Sequence, residues 1–400
     1  MADVSVLAQV DSSVTPRNQS SNHSSNRGRL LRAAGDLAGP DHSRTHKLLS
    51  QVADFAEDFA TGEQTGTFIS QSPPAIRQSY DRMSLRHKTA RSLGSEAAEG
   101  RPSERHELRP FLKWAGGKRQ LLPDLLARIP SDLRNYHEPF VGGGALFFAL
   151  SERGYLQNSK VRLSDINPEL INAYQMVRDR VETLISLLGA FPNDEEFFYE
   201  LRALDTKTLE PVQRAARLIY LNKTCFNGLF RENRRGQFNV PYGHYKTAHI
   251  CAGNELRAAS RALRGVTLEV CAFDALATSC APGDFVYCDP PYAPVSRTAS
   301  FTNYSSGGFD DAAQARLAQL VTQLGQRGVS VLLSNSWVPL TLSLYEGCHI
   351  EQVQARRAIN SKGDKRGLVP ELLASAGPLA EVLRTRIVPV ATPELSAQLA

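Results

Sequence analysis

From Pro110 onward, short apolar runs alternate with longer amphipathic stretches. The runs "YHEPFV", "VRLSD", "TLEVCA", "FVYCD" and "VSVLLSN" have the length and composition of buried strands. Between them, "PELINAYQMVRDRVETLISLL" and "DDAAQARLAQLVTQLGQRG" repeat apolar residues at helical spacing. Strands that alternate with helices imply crossover connections, hence an α/β fold whose mostly parallel sheet is covered on both faces. The alternation breaks between about 180 and 256. There "FNGLFRENRRGQFNVPYGHY" is dense in Arg, Asn, Gly and aromatics and reads as an inserted subdomain.

Upstream of about residue 108 the pattern disappears. Stretches such as "SSVTPRNQSSNHSSNRGR" and "SLGSEAAEGRPSERHELRP" hold too few large apolar groups to offset chain ordering, and are expected to be disordered. One island, "HKLLSQVADFAEDFA", places Leu48, Val52, Phe55 and Phe59 on one helical stripe. A docking helix and a transient helix in a tail both fit it. The expected bounds are 1–108 for a low-complexity extension, 109–375 for the folded domain with its insert, and 376–400 for a C-terminal tail.

Composition narrows the class. Of 400 residues, 42% are hydrophobic and 22% charged, which fits a soluble folded domain. The formal charge of +5 is compatible with a nucleic-acid partner without pointing to one. None of the six cysteines forms a C-x-x-C pair, which argues against zinc and thioredoxin-type chemistry. "MADVSVLAQVDSS" lacks the basic and apolar regions of a signal peptide, and no apolar run approaches the ~18 residues of a membrane span. The chain therefore reads as a reduced, cytoplasmic protein with no membrane partner.

The chemistry gathers at strand ends, where open α/β sheets bind ligands. Glu138, Asp165 and Asp289 each close an apolar run, and Ser334-Asn335 ends a fourth. "FVGGGAL" lacks the third glycine of a dinucleotide fingerprint, Phe147 standing in its place. "WAGGKRQ" is no P-loop either, since Arg119 occupies the position of the magnesium-binding hydroxyl. The glycines instead let backbone approach a ligand, Lys118 offers a cation to a carboxylate, and Asp165 suits a pair of ribose hydroxyls. S-adenosylmethionine (AdoMet) has both an amino-acid head and a nucleoside tail. In "DPPY", two prolines stiffen the turn and donate no N–H. Asp289 and the Pro290 carbonyl can then accept two hydrogen bonds from one planar amino group while Tyr292 stacks on its ring. That arrangement frees the nitrogen lone pair for attack on a methyl sulfonium and requires no metal.

Six segments in collinear order carry a family resemblance: "FLKWAGGKRQLL", "EPFVGGGALFF", "DINPELINAY", "LNKTCFNGLFRENRRGQFNVPYG", "DPPYAPVSRTASFTNY" and "ARRAINSKGDKRGLVPELL". Together they resemble the Dam-type DNA adenine-N6 methyltransferases, from about Pro110 to Ala374. The resemblance implies a Rossmann-like AdoMet-dependent methyltransferase sheet with an inserted, largely helical DNA-recognition subdomain and a β-hairpin. It implies cofactor contacts at Trp114, Lys118, Phe140, Gly142, Asp165 and Asp289, and catalysis by Asp289, Pro290 and Tyr292 on an adenine turned out of the duplex. It implies DNA recognition through Lys113, Phe226, Asn227 and Arg231, with Arg234 and Arg235 on phosphates. The implied partner is double-stranded DNA, read at GATC by a monomer. One departure stands out: many relatives carry His or Ser followed by Asp after "LLSN", and here the pair is Ser336-Trp337, which is expected to weaken loop positioning. A cytosine-N4 or RNA-adenine substrate and a non-catalytic DNA-binding module remain as alternatives, with Asp289 counting against the cytosine reading.

Overall fold

A computed structural model describes residues 108–233, 235–295, 309–356 and 368–386. The N-terminal extension with its apolar island, Arg234, "SRTASFTNY" and most of "ARRAINSKGDKRG" lie outside the described residues.

Seven strands form one sheet: β1 (Asn135–Glu138), β2 (Lys160–Asp165), β3 (Thr267–Val270), β4 (Phe285–Cys288), β5 (Ser330–Ser336), β6 (His349–Arg356) and β7 (Leu368–Ala376), in the order β3-β2-β1-β4-β5-β7-β6. The first five run parallel, whereas β7 is antiparallel to both β5 and β6. All four residues of β4 and all seven of β5 are buried, as expected of central strands covered on both faces. From β1 the chain moves outward through β2 to β3, then returns to β4 on the other side of β1. The switch point therefore lies between β1 and β4, with Glu138 at one strand end and Asp289 just beyond the other.

Local chemistry starts and stops the helices. Those of six residues or more among the described residues are α1 (Ala145–Glu152), α2 (Pro168–Asp179), α3 (Val181–Ala190), α4 (Glu195–Ala203), α5 (Pro211–Thr224), α6 (Gly253–Ala262), α7 (Asp311–Gln326), α8 (Pro339–Leu344) and α9 (Pro378–Thr385). The Asn167 side chain accepts from the N–H groups of Glu169 and Leu170 and so caps α2, with Pro168 at the first helical position. Asp310 caps α7 through the Ala313 N–H. No helix among the described residues is long and apolar enough to cross a membrane.

The segment expected as an insert holds α3, α4 and α5 and is largely helical. These helices do not form a core of their own. One buried cluster runs from Phe111 and Phe148 through Tyr174, Leu187, Phe198 and Tyr220 to Leu268 and Phe285. The insert is thus fused to the sheet's core. Beyond α5, two isolated bridges, Cys225 with Tyr242 and Glu232 with Phe238, fold residues 225–242 into a narrow antiparallel loop.

The domain edge expected at 375 falls inside the structure. β7 reaches Ala376, and α9 follows with Leu379, Ala380 and Leu383 buried, so 376–385 belongs to the fold rather than to a tail. Gly377 makes the turn at φ 67°, where an added Cβ would collide with the Val329 carbonyl oxygen. Eight helical residues are too few to stand out by periodicity, and only packing on the sheet makes them an element.

Candidate active site

The turn after β4 is held from several sides. The Asp289 carboxylate Oδ1 lies 2.8 Å from Lys118 Nζ and accepts from Ser334 Oγ at 2.9 Å. Ser334 in turn meets the Tyr287 hydroxyl at 3.0 Å. Lys118, itself buried, also donates to the Gly116 carbonyl at 2.6 Å and sits 4.5 Å from the centroid of the Tyr292 ring. The Tyr292 hydroxyl donates to Glu371 Oε2 at 2.7 Å. Among the described residues no donor reaches Asp289 Oδ2 or the Pro290 carbonyl. Asp289, Pro290 and Tyr292 all line the adjoining cleft.

Two carboxyl groups share this end of the sheet. Burial pushes the Glu138 carboxyl up to about 8, the negative charge of Asp289 adds to the rise, and a 2.7 Å hydrogen bond from the Tyr136 hydroxyl works against it. Burial also raises Asp289 above the usual carboxylate range, while the Lys118 ammonium and the Ser334 hydroxyl pull it back. Near neutral pH Glu138 is thus protonated, and the Lys118 ammonium is the cation that faces Asp289.

Beside the turn, one cleft of about 2220 Å³ opens along the strand ends. It exceeds the roughly 300–1,000 Å³ of an ordinary small-molecule pocket and has room for two ligands. Gly142 adopts φ 47°, and a Cβ there would lie 2.8 Å from Trp114 Cδ1, so glycine keeps the floor open against the indole. Asp165 accepts from the Gly142 N–H at 3.2 Å and the Asn167 N–H at 3.0 Å. Burial raises its carboxyl, and these backbone donors oppose the rise. Phe140 stacks on Phe273 at 5.6 Å and meets the edge of Phe309 at 5.7 Å, forming an aromatic wall. Ile166, next to Asp165, is 71% exposed into the same cleft.

The narrow loop of the insert joins the cleft at one edge. Trp114 stacks on Phe230 with centroids 5.1 Å apart, and Phe230 packs against Phe238. Arg235, Gln237 and Asn239 line the cleft with Asp289 and Tyr292. Lys113 lies 5.5 Å from the Tyr245 ring, and the Asn227 N–H donates to the Tyr245 hydroxyl at 3.0 Å with Asn227 at φ 57°. Phe226 beside it is 52% exposed.

Trp114, Lys118, Phe140, Gly142, Asp165, Asp289, Pro290 and Tyr292 therefore line one cleft. Lys113, Phe226, Asn227 and Arg231 do not line it and sit on the adjoining loop surface. Arg231 is held by its own loop: Nε donates to Asn239 Oδ1 at 2.6 Å and Nη2 to the Asn239 carbonyl at 3.2 Å. Lys118, expected to offer a cation to a ligand carboxylate, pairs with Asp289. In the Ser336-Trp337 pair, the Ser336 hydroxyl donates to the Ala293 carbonyl. Sequence reading missed Phe273, Ile166 and Glu371. The pattern of Ile166 directly after the strand-end acid could have signalled it, whereas the other two become visible only through the packing of distant segments.

The lining suits a nucleoside: an aromatic wall and exposed Ile166 for a base, Asp165 for hydroxyl groups, and a glycine floor at Gly142. A family described as D12 class N6 adenine-specific DNA methyltransferase matches residues 114–359, more than half of the chain. A type II methyltransferase of Lactococcus lactis subsp. cremoris is 40% identical over 67% of this chain and 95% of its own length. A type II methyltransferase of Methanocaldococcus jannaschii is 41% identical over 65% and 96%. A DNA adenine methylase of Escherichia coli is 37% identical over 66% and 94%.

Proposed function

Because the chain belongs to the D12 class of N6 adenine-specific DNA methyltransferases, we propose that its cleft methylates an adenine turned out of duplex DNA, within GATC. AdoMet, the methyl donor the family implies, supplies an electrophilic methyl group when bound. Phe140, Gly142, Asp165 and Trp114 would hold it, with Phe273 and Ile166 against its base.

The acceptor side follows from the turn. Asp289 Oδ2 and the Pro290 carbonyl accept the two hydrogens of the target amino group, drawing its lone pair out of conjugation with the ring. Tyr292 stacks on the base, and the Glu371 hydrogen bond keeps that ring from rotating away. Extrusion costs a few kcal/mol, which stacking and the filling of the vacated gap offset. Phe226 and Asn227, exposed on the loop beside Lys113, suit that gap. Arg231 suits a guanine edge, where a bidentate contact discriminates by about 1–3 kcal/mol. Arg235 suits a phosphate. In this reading the enzyme acts as a monomer on cytoplasmic DNA.

The reading rests on one observation: Asp289, Pro290 and Tyr292 share a cleft with Gly142 and Asp165. Asp289→Ala is expected to lower methyl transfer by two or more orders of magnitude in a tritiated-methyl assay while duplex binding persists. Turnover near that of the parent would remove Asp289 from the reaction.

A further inference from the structure

The turn that presents the acceptors has an unusual weakness. Pro290 and Pro291 have no N–H, so the backbone of the turn is held mainly through its carbonyls and the few N–H groups that follow the prolines, among them that of Ala293. The structure ties both by a pair of buried side-chain amides. Ala293 N–H donates to Asn335 Oδ1 at 3.0 Å, and Ser336 N–H donates to the same oxygen at 2.8 Å. Asn335 Nδ2 then donates to Gln314 Oε1 at 3.0 Å, and Gln314 Nε2 donates to the Pro291 carbonyl at 2.9 Å. Asn335 is 0% exposed and Gln314 1%.

The orientation of both amides follows from chemistry. Asn335 faces two N–H donors, so its oxygen must point to them and its nitrogen away. Gln314 must then present oxygen to Asn335, which leaves its nitrogen for Pro291. Reversing either amide would bury two unsatisfied pairs, at about 1–3 kcal/mol for each group left without a partner. The chain of bonds thus has one low-energy state, and it ends on the carbonyl next to the Pro290 acceptor.

We infer that Gln314, on the first turn of α7, is a positioning residue for methyl transfer: with Asn335 it holds the Pro290–Tyr292 backbone so that the Pro290 carbonyl faces the target amine. It touches neither ligand. Its effect belongs to the step in which acceptor placement matters and not to cofactor affinity.

Two variants separate this from a packing role. Gln314→Met keeps the volume and removes both hydrogen bonds. It is expected to lower the single-turnover methylation rate by about tenfold to a hundredfold, with AdoMet affinity changed by less than about threefold in equilibrium dialysis. Gln314→Glu keeps the shape, and only its protonated carboxyl can donate to Pro291 while accepting from Asn335. Its rate relative to the parent is therefore expected to rise by about fivefold or more from pH 8.5 to pH 6. A Gln314→Met rate within twofold of the parent, or a loss confined to AdoMet affinity, would overturn the inference. Should Gln314→Met lose its cooperative thermal transition, the pH profile of Gln314→Glu decides, and a flat ratio overturns it.

Discussion

Glu138 shows how one side chain sets the electrostatics of this cleft. It is buried beside Asp289, and its carboxyl titrates at about 8, far above the ordinary value of 4.5. A raised folded-state value means that the folded protein holds a proton the unfolded chain releases. Stability from this group is therefore complete below about pH 4.5 and is lost as pH rises toward 8. Glu138→Gln keeps the neutral shape at every pH. Its thermal midpoint is expected to match the parent's near pH 4.5 and exceed it increasingly up to pH 8, measured by circular dichroism. A constant difference across that range would mean that Glu138 is ionised when folded. Lys118 belongs to the same balance, since its ammonium faces Asp289 and the Tyr292 ring together.

Among the elements, the narrow loop of residues 225–242 carries the test of sequence choice. Its stem is pinned by the Glu232–Phe238 bridge, by Asn239 N–H on the Arg231 carbonyl at 3.0 Å, and by Arg231 on Asn239. Arg231 has two possible duties here, stapling the loop or reading a base edge, and one substitution separates them. If Arg231 reads a guanine, Arg231→Ala narrows the preference for GATC over single-base variants by about 1–3 kcal/mol in competitive methylation. If it only staples, all duplexes weaken alike and the preference stays. The elements differed in how plainly the chain announced them. Helices α2 and α7 were legible because periodicity and a cap residue coincide. Helix α9 was not, because eight residues after a strand show no period until they pack.

At the level of the whole molecule, the order β3-β2-β1-β4-β5 sends every parallel strand end to one side, and the cleft forms there because the switch point parts β1 from β4. Expression in a methylation-deficient host, with modified adenines mapped by sequencing, is expected to show modification at GATC and not at its single-base variants. Modification at another sequence would keep the reaction and transfer specificity to other residues of the insert. The chain by itself determined what depends on neighbours in sequence: the alternation of strands and helices, the acids at strand ends, and the stiff proline turn. Folding alone decided that Lys118 faces Asp289, that Glu371 holds Tyr292, and that Gln314, one polar position in "DDAAQARLAQL", is buried under the turn. The reason is physical. Local patterns report each residue's preference for its own backbone state, whereas a hydrogen bond between β4, β5, β7 and α7 exists only once sheet register and helix packing have brought those segments together.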